Sequence, residues 1–335
     1  MESQELLQSM KRLDDTGHTP RLFQELDSAG LVAPIKEEWA KIKGGKDHPV
    51  LPFRNVVQAL SACGKLESLL GEKFGLLDGL VNFWERYRPH QPNHPIYSLD
   101  KERLGSTVPL LAHADEGTGK KKKAIMILQI QPLPGKGTSR NAEGGLNFVG
   151  VSVSTRYLYS VMTAKVYAGV NAKRLDSLVG HMADDLAGLF HSPVEVTIKG
   201  TKKLLFFSCL GLKGDWPALV KLGKLQRHFG RTITSAGAES TGICHLCRAG
   251  QDGFSYNNFD YDTMLESRRL VEPPWSSPGA LTTKIPQDQT RLAQFFKIDL
   301  FHTFHKGIFG DLAANAIEPR LMSRVCCTLL TLLSC

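Results

Sequence analysis

Two aspartates, Asp115 and Asp215, each follow an apolar run of strand length and lie 100 residues apart in the sequence. Carboxylates at the ends of neighbouring strands can converge and hold two divalent cations. Such a metal pair, about 3.5–4 Å apart, activates a water or a 3′-hydroxyl and stabilises the leaving oxygen of a phosphodiester. Mg²⁺ suits the task, because it accepts a few carboxylates and keeps water and phosphate oxygens as its other ligands. The same residue types have plainer uses. Asp215, ahead of Trp216-Pro217, can cap a helix, and Asp115, in Ala114-Asp115-Glu116-Gly117, can serve a turn.

A second constellation is built from cysteine and histidine. Cys244-His245-Leu246-Cys247 is a C-x2-C turn in a polar, irregular stretch, and two thiolates at that spacing can bind one Zn²⁺. Downstream, His302 and His305 stand three apart on an expected helix, where they are neighbours and would complete a Cys2His2 set. The plainer reading is two free thiols and two surface histidines. Gly117-Thr118-Gly119-Lys120-Lys121 invites comparison with a phosphate-binding loop, but Lys121 stands where a Ser or Thr would ligate Mg²⁺, and a strand follows instead of a helix. Lys120, Lys121, Lys122 and Lys123 read better as a basic turn able to touch a phosphate backbone, or simply solvated.

The elements that must position these groups follow from hydrophobic periodicity. Residues 1–88 show helical spacing, as in Val56, Val57, Leu60 and Cys63, and are expected to form a small helical region. Three prolines between Arg88 and Pro95 predict a linker over 89–103. From 104 to 231 the order is strand (107–114), strand (124–130), strand (near 158–166), helix (from about 172 to 190), strand (203–210), helix (from Pro217). That order predicts an α/β (α+β) unit, a mixed sheet with helices against it. Residues 232–335 hold the Cys/His pattern, an expected helix at 290–316 and an apolar tail.

The chain has 335 residues with 41 Lys and Arg against 33 Asp and Glu, a formal charge of +8. Between Asp115 and Arg231 there are 18 basic and 8 acidic residues, a surplus of +10, so the remainder carries −2. A surplus concentrated in this way favours a polyanionic partner, DNA before membrane. No apolar run reaches the roughly 18 residues that a membrane span needs, and the polar start Met1-Glu2-Ser3-Gln4-Glu5 predicts no secretory signal. Seven irregularly spaced cysteines argue for a reducing compartment, nuclear or cytoplasmic.

Taken in order, the strand ending at Asp115, Gly214-Asp215-Trp216-Pro217-Ala218, Cys244-x2-Cys247 and Asp299-x2-His302 resemble the CACTA-type (En/Spm-like) DDE transposases over residues 105–315. The chain is also similar to transposon-derived proteins of algal genomes. The resemblance implies an RNase H-like core at 104–231 with Asp115 and Asp215 as ancestral Mg²⁺ ligands, DNA cleavage and strand transfer as the ancestral reaction, and Cys244, Cys247, His302 and His305 around a structural Zn²⁺. Glu116 stands where the family more usually has glycine after the first acid. Only 33 residues follow His302, with Glu318 the only glutamate among them. The expectation is therefore a truncated, catalytically incomplete DNA-binding chain. The rival from another class is a non-catalytic zinc-binding interaction module.

Overall fold

The computed structural model describes residues 34–70, 78–118, 124–134, 156–169, 172–227, 242–268 and 272–299, with isolated positions at 24, 28, 309, 312 and 313. Its centre is a five-stranded mixed sheet. The strands are β3 (Thr107–Thr118), β4 (Ala124–Pro132), β5 (Tyr157–Thr163), β6 (Val194–Ile198) and β7 (Thr201–Gly214), in the spatial order β5-β4-β3-β7-β6. β3, β4 and β5 form an antiparallel meander, β7 runs parallel to β3, and β6 folds back antiparallel on β7. The mixed α/β architecture expected from the strand and helix order is therefore present.

β3 alternates as a half-covered strand should: Val108, Leu110, Ala112 and Ala114 are fully buried on one face, which places His113 and Asp115 on the other. The buried face is covered by α6 (Ala172–His191). Its Leu175, Leu178, Val179, Met182, Leu186 and Leu189 recur at helical spacing and are all buried. A parallel β3–β7 pair needs a crossover, and α6 with the β6 hairpin supplies it.

β7 contains a bulge. Leu110 pairs with Cys209 but Ala112 pairs with Leu212, so two steps along β3 match three along β7. Phe207 and Cys209 face the main core before the bulge, and Leu212 faces it afterwards. The extra residue reverses the strand's phase, so that Lys213 lies opposite His113 on the far face. Gly211 sits at this point because a Cβ there would lie 2.5 Å from the Phe295 carbonyl oxygen. That contact belongs to a short segment docked on the β7 edge, where Phe296 bridges in parallel to Leu212 and Lys297 N donates to Leu212 O at 2.8 Å.

Three expectations are corrected. The region before residue 88 is not helices alone. It has a two-stranded ribbon, β1 (Glu38–Ala40) and β2 (His48–Val50), followed by α1 (Phe53–Ala62), α2 (Glu67–Leu70) and α3 (Asp78–Tyr87). Ala40, Val50, Phe53, Val56 and Val57 enter the same core as the sheet. Residues 89–103 are no free linker: Gln91, His94 and Ile96 are buried, a 3-10 turn spans Pro95–Ser98, and α4 (Lys101–Ser106) leads directly into β3. The prolines start this turn; they do not loosen the chain. The start of the helix expected over 290–316 is instead a 3-10 turn, Leu292–Phe295, followed by a non-helical stretch to Asp299, because the exposed backbone edge of β7 captures it; Phe309, Leu312 and Ala313, further along the same span, are helical.

Candidate nucleic-acid and metal site

β3 does not stop at Asp115. It continues to Thr118, with Asp115 exposed and paired in register with Ile127 of β4. Asp215 follows β7 immediately and is the N-cap of α7 (Trp216–Gly223), its Oδ1 accepting from Ala218 N at 3.0 Å. Each aspartate comes one residue after the Ala114–Gly214 pair of the adjacent parallel strands, Asp115 within β3 and Asp215 just past the end of β7. Only glycine permits this approach at 214, since a Cβ would fall 2.0 Å from the Ala114 carbonyl oxygen. Both the cap reading and the neighbouring-strand placement of Asp215 are thus real features of one position.

The face that carries Asp115 is polar. His113 Nδ1 is 3.1 Å from Gln129 Oε1, and Lys213 Nζ donates to Gln131 Oε1. Arg156, just before β5, lies within electrostatic reach of both His113 and Lys213, and Asp299 lies within reach of Lys213. Burial, then repulsion from Arg156 and Lys213, lowers His113 to about 4, so its ring is neutral at pH 7. Burial, then Arg156, lowers Lys213 to about 8 against the pull of Asp299, which leaves the amine mostly protonated at neutral pH.

Glu116 belongs to the opposite face. Its carboxylate accepts from the Tyr167 hydroxyl and from Lys221 Nζ of α7. Burial pushes this carboxyl up, but those hydrogen bonds outweigh burial and hold it below the usual range. Glu116 therefore ties the end of β3 to α7 and to the short helix α5 (Ala164–Tyr167).

Cys244 and Cys247 are half-buried free thiols in one turn, with Leu246 N donating to Cys244 Sγ at 3.3 Å. A hydrogen bond from Cys244 lowers Cys247 to about 6, and the same bond, then burial, raises Cys244. Arg227 and Arg268 add a favourable field at Cys247. The turn is docked through His245, which the spacing did not single out. Its Nε2 is 2.8 Å from Phe296 O, and its ring packs 5.2 Å from that of Trp216. The C-x2-C turn, the start of α7 and the segment leading to Asp299 are therefore one assembly.

Lys120, Lys121, Lys122, Lys123, His302, His305 and Glu318 lie outside the described residues. Among the described residues no group of three or more His, Cys, Asp and Glu side chains is placed to hold a metal ion. His113, Lys213 and Arg156 also escaped the sequence reading. His113 and Lys213 each stand two residues before a singled-out aspartate, but only the bulge turns both toward the same face. No model of a protein family and no curated protein matches the chain.

Proposed function

We propose that the chain is a transposase-derived, DNA-binding protein on an RNase H-like core, whose ancestral chemistry was Mg²⁺-dependent DNA cleavage and strand transfer. The observation that carries this reading is the β5-β4-β3-β7 order with β3 parallel to β7, Asp115 on β3 and Asp215 immediately after the end of β7, beyond the Ala114–Gly214 pair. Asp115 and Asp215 are the side chains that would hold Mg²⁺, which would activate a water or 3′-hydroxyl toward a phosphodiester. The donor set is short of what that chemistry requires, because no third described ligand joins them. In this reading the chain binds DNA without cleaving it. The thiols of Cys244 and Cys247 fit a structural Zn²⁺, with His302 and His305 as the proposed remaining ligands.

The test is a salt titration of duplex DNA binding beside a Mg²⁺ or Mn²⁺ nicking assay. Affinity should fall steeply with salt, by about 0.9 in log–log slope for each phosphate contact, and differ little between sequences. Nicking abolished by Asp215→Asn would show that the site is catalytically complete.

A second reading, a zinc-binding interaction module, is favoured by the surface beside Cys247. There Tyr256, Phe259 and Tyr261 are exposed, and α8 (Tyr261–Ser267) buries none of its residues. Absence of DNA binding at low salt would favour that reading.

A further inference from the structure

The mixed sheet places a row of polar groups across three neighbouring strands. Lys213 of β7 pairs with His113 of β3, and His113 pairs with Gln129 of β4. Gln131, two residues along β4 on the same face, receives the Lys213 amine. Arg156 enters from the start of β5, within electrostatic reach of His113 and Lys213. Its Nε is buried and has no hydrogen-bond partner among the described residues. Two cations are thereby held close together on a half-buried sheet face, where Asp299 offsets part of the cost at Lys213 and a further anion would relieve the remaining Coulomb repulsion and desolvation. A strand that kept its phase would have sent Lys213 into the core. The bulge at Leu210–Gly211 brings it out on the side of Asp115, and bulges concentrate where a side chain must be re-aimed.

We infer that Lys213 and Arg156 form a phosphate-holding site on this face, seating one phosphodiester of a nucleic-acid strand next to Asp115. The guanidinium brings its fixed positive charge and the amine offers the protons not taken by Gln131, while neutral His113 and Gln129 supply polar contacts without adding charge. Asp115 and Asp299 restrain the site: they repel a bare anion, so that a phosphate is held by the two cations and kept off the carboxylates. This inference rests on the DNA-binding reading for the identity of the strand, but not for the anion site itself.

The experiment uses the full chain and two probes. Inorganic phosphate is titrated while the Arg156 Nε and Lys213 Nζ signals are followed by ¹⁵N NMR. A duplex oligonucleotide is titrated over a salt series with wild type, Lys213→Gln and Arg156→Gln, each checked by circular dichroism for an unchanged fold. Both side-chain signals should shift saturably with phosphate. The Lys213 shift should weaken several-fold in Arg156→Gln, and each substitution should lower the duplex salt slope by about 0.9. Phosphate binding without duplex binding would keep the anion site and overturn the DNA reading. Duplex binding with unaltered slopes and no phosphate shift would overturn this inference and leave the DNA reading standing. Silence to both probes would overturn both.

Discussion

His94 is 2% exposed, accepts from Ile96 N at Nδ1 over 3.1 Å, and lies between Trp84, Tyr97 and Phe190. Burial lowers it to about 4, against the favourable pulls of the Pro286 carbonyl and Asp288. In the unfolded chain the ring takes its proton near the ordinary 6.5, so between those values the unfolded state binds more protons than the folded one. Stability therefore falls as pH drops from about 6.5 toward about 4, by up to about 3 kcal/mol at 1.36 kcal/mol per unit. Urea unfolding across that range should show the loss, and His94→Gln should remove its own share, leaving the part that His113, lowered over the same range, contributes. An equally steep profile in that variant would place the effect elsewhere.

α1 and the ribbon before it act as one wall of the sheet's core. Phe53 N donates to Asp185 of α6 at 3.0 Å, Arg54 Nη1 donates to Pro193 O at 2.8 Å, and His48 Nε2 is 3.0 Å from Val161 O of β5. Phe53, Val56 and Val57 are each no more than 1% exposed. Burial of each such side chain is worth about 1.5–3 kcal/mol, and those three alone approach the ~5–15 kcal/mol that stabilises a whole domain. A chain beginning at residue 89 should therefore lose cooperative unfolding by circular dichroism. A sharp transition like that of the full chain would mean that the segment folds as a separate unit.

Across the whole molecule, the C-x2-C turn is linked to β7 rather than hanging from it, because His245 joins Trp216 and Phe296. Metal bound at Cys244 and Cys247 would then stabilise the docking of the 295–299 segment, since binding to a site absent from the unfolded chain is folding free energy. Elemental analysis should find one zinc per chain, lost in the Cys244→Ser, Cys247→Ser double variant together with a lower unfolding midpoint. Unchanged zinc in that variant would refute the assignment. Among the described residues no helix is long and apolar enough to cross a membrane.

Local pattern alone was enough to place β3, β4, β7 and α6, because long apolar runs with a clean period of 2 or 3.6 leave few alternatives. It also singled out Asp115, Asp215 and the C-x2-C turn, whose residue types announce themselves. β6, five residues with exposed Glu195 and Thr197, carries too short a pattern to stand out. The prolines of 89–103 read as a linker because proline excludes helix equally in a loose connector and in a packed turn; burial of His94 and Ile96 decides between them. The polar face was least legible of all. Which side of β7 Lys213 occupies depends on one inserted residue, and with a side-chain period of 2 a single-residue shift reverses every position after it. Only pairing with β3 sets that phase, and with it the company that Asp115 keeps.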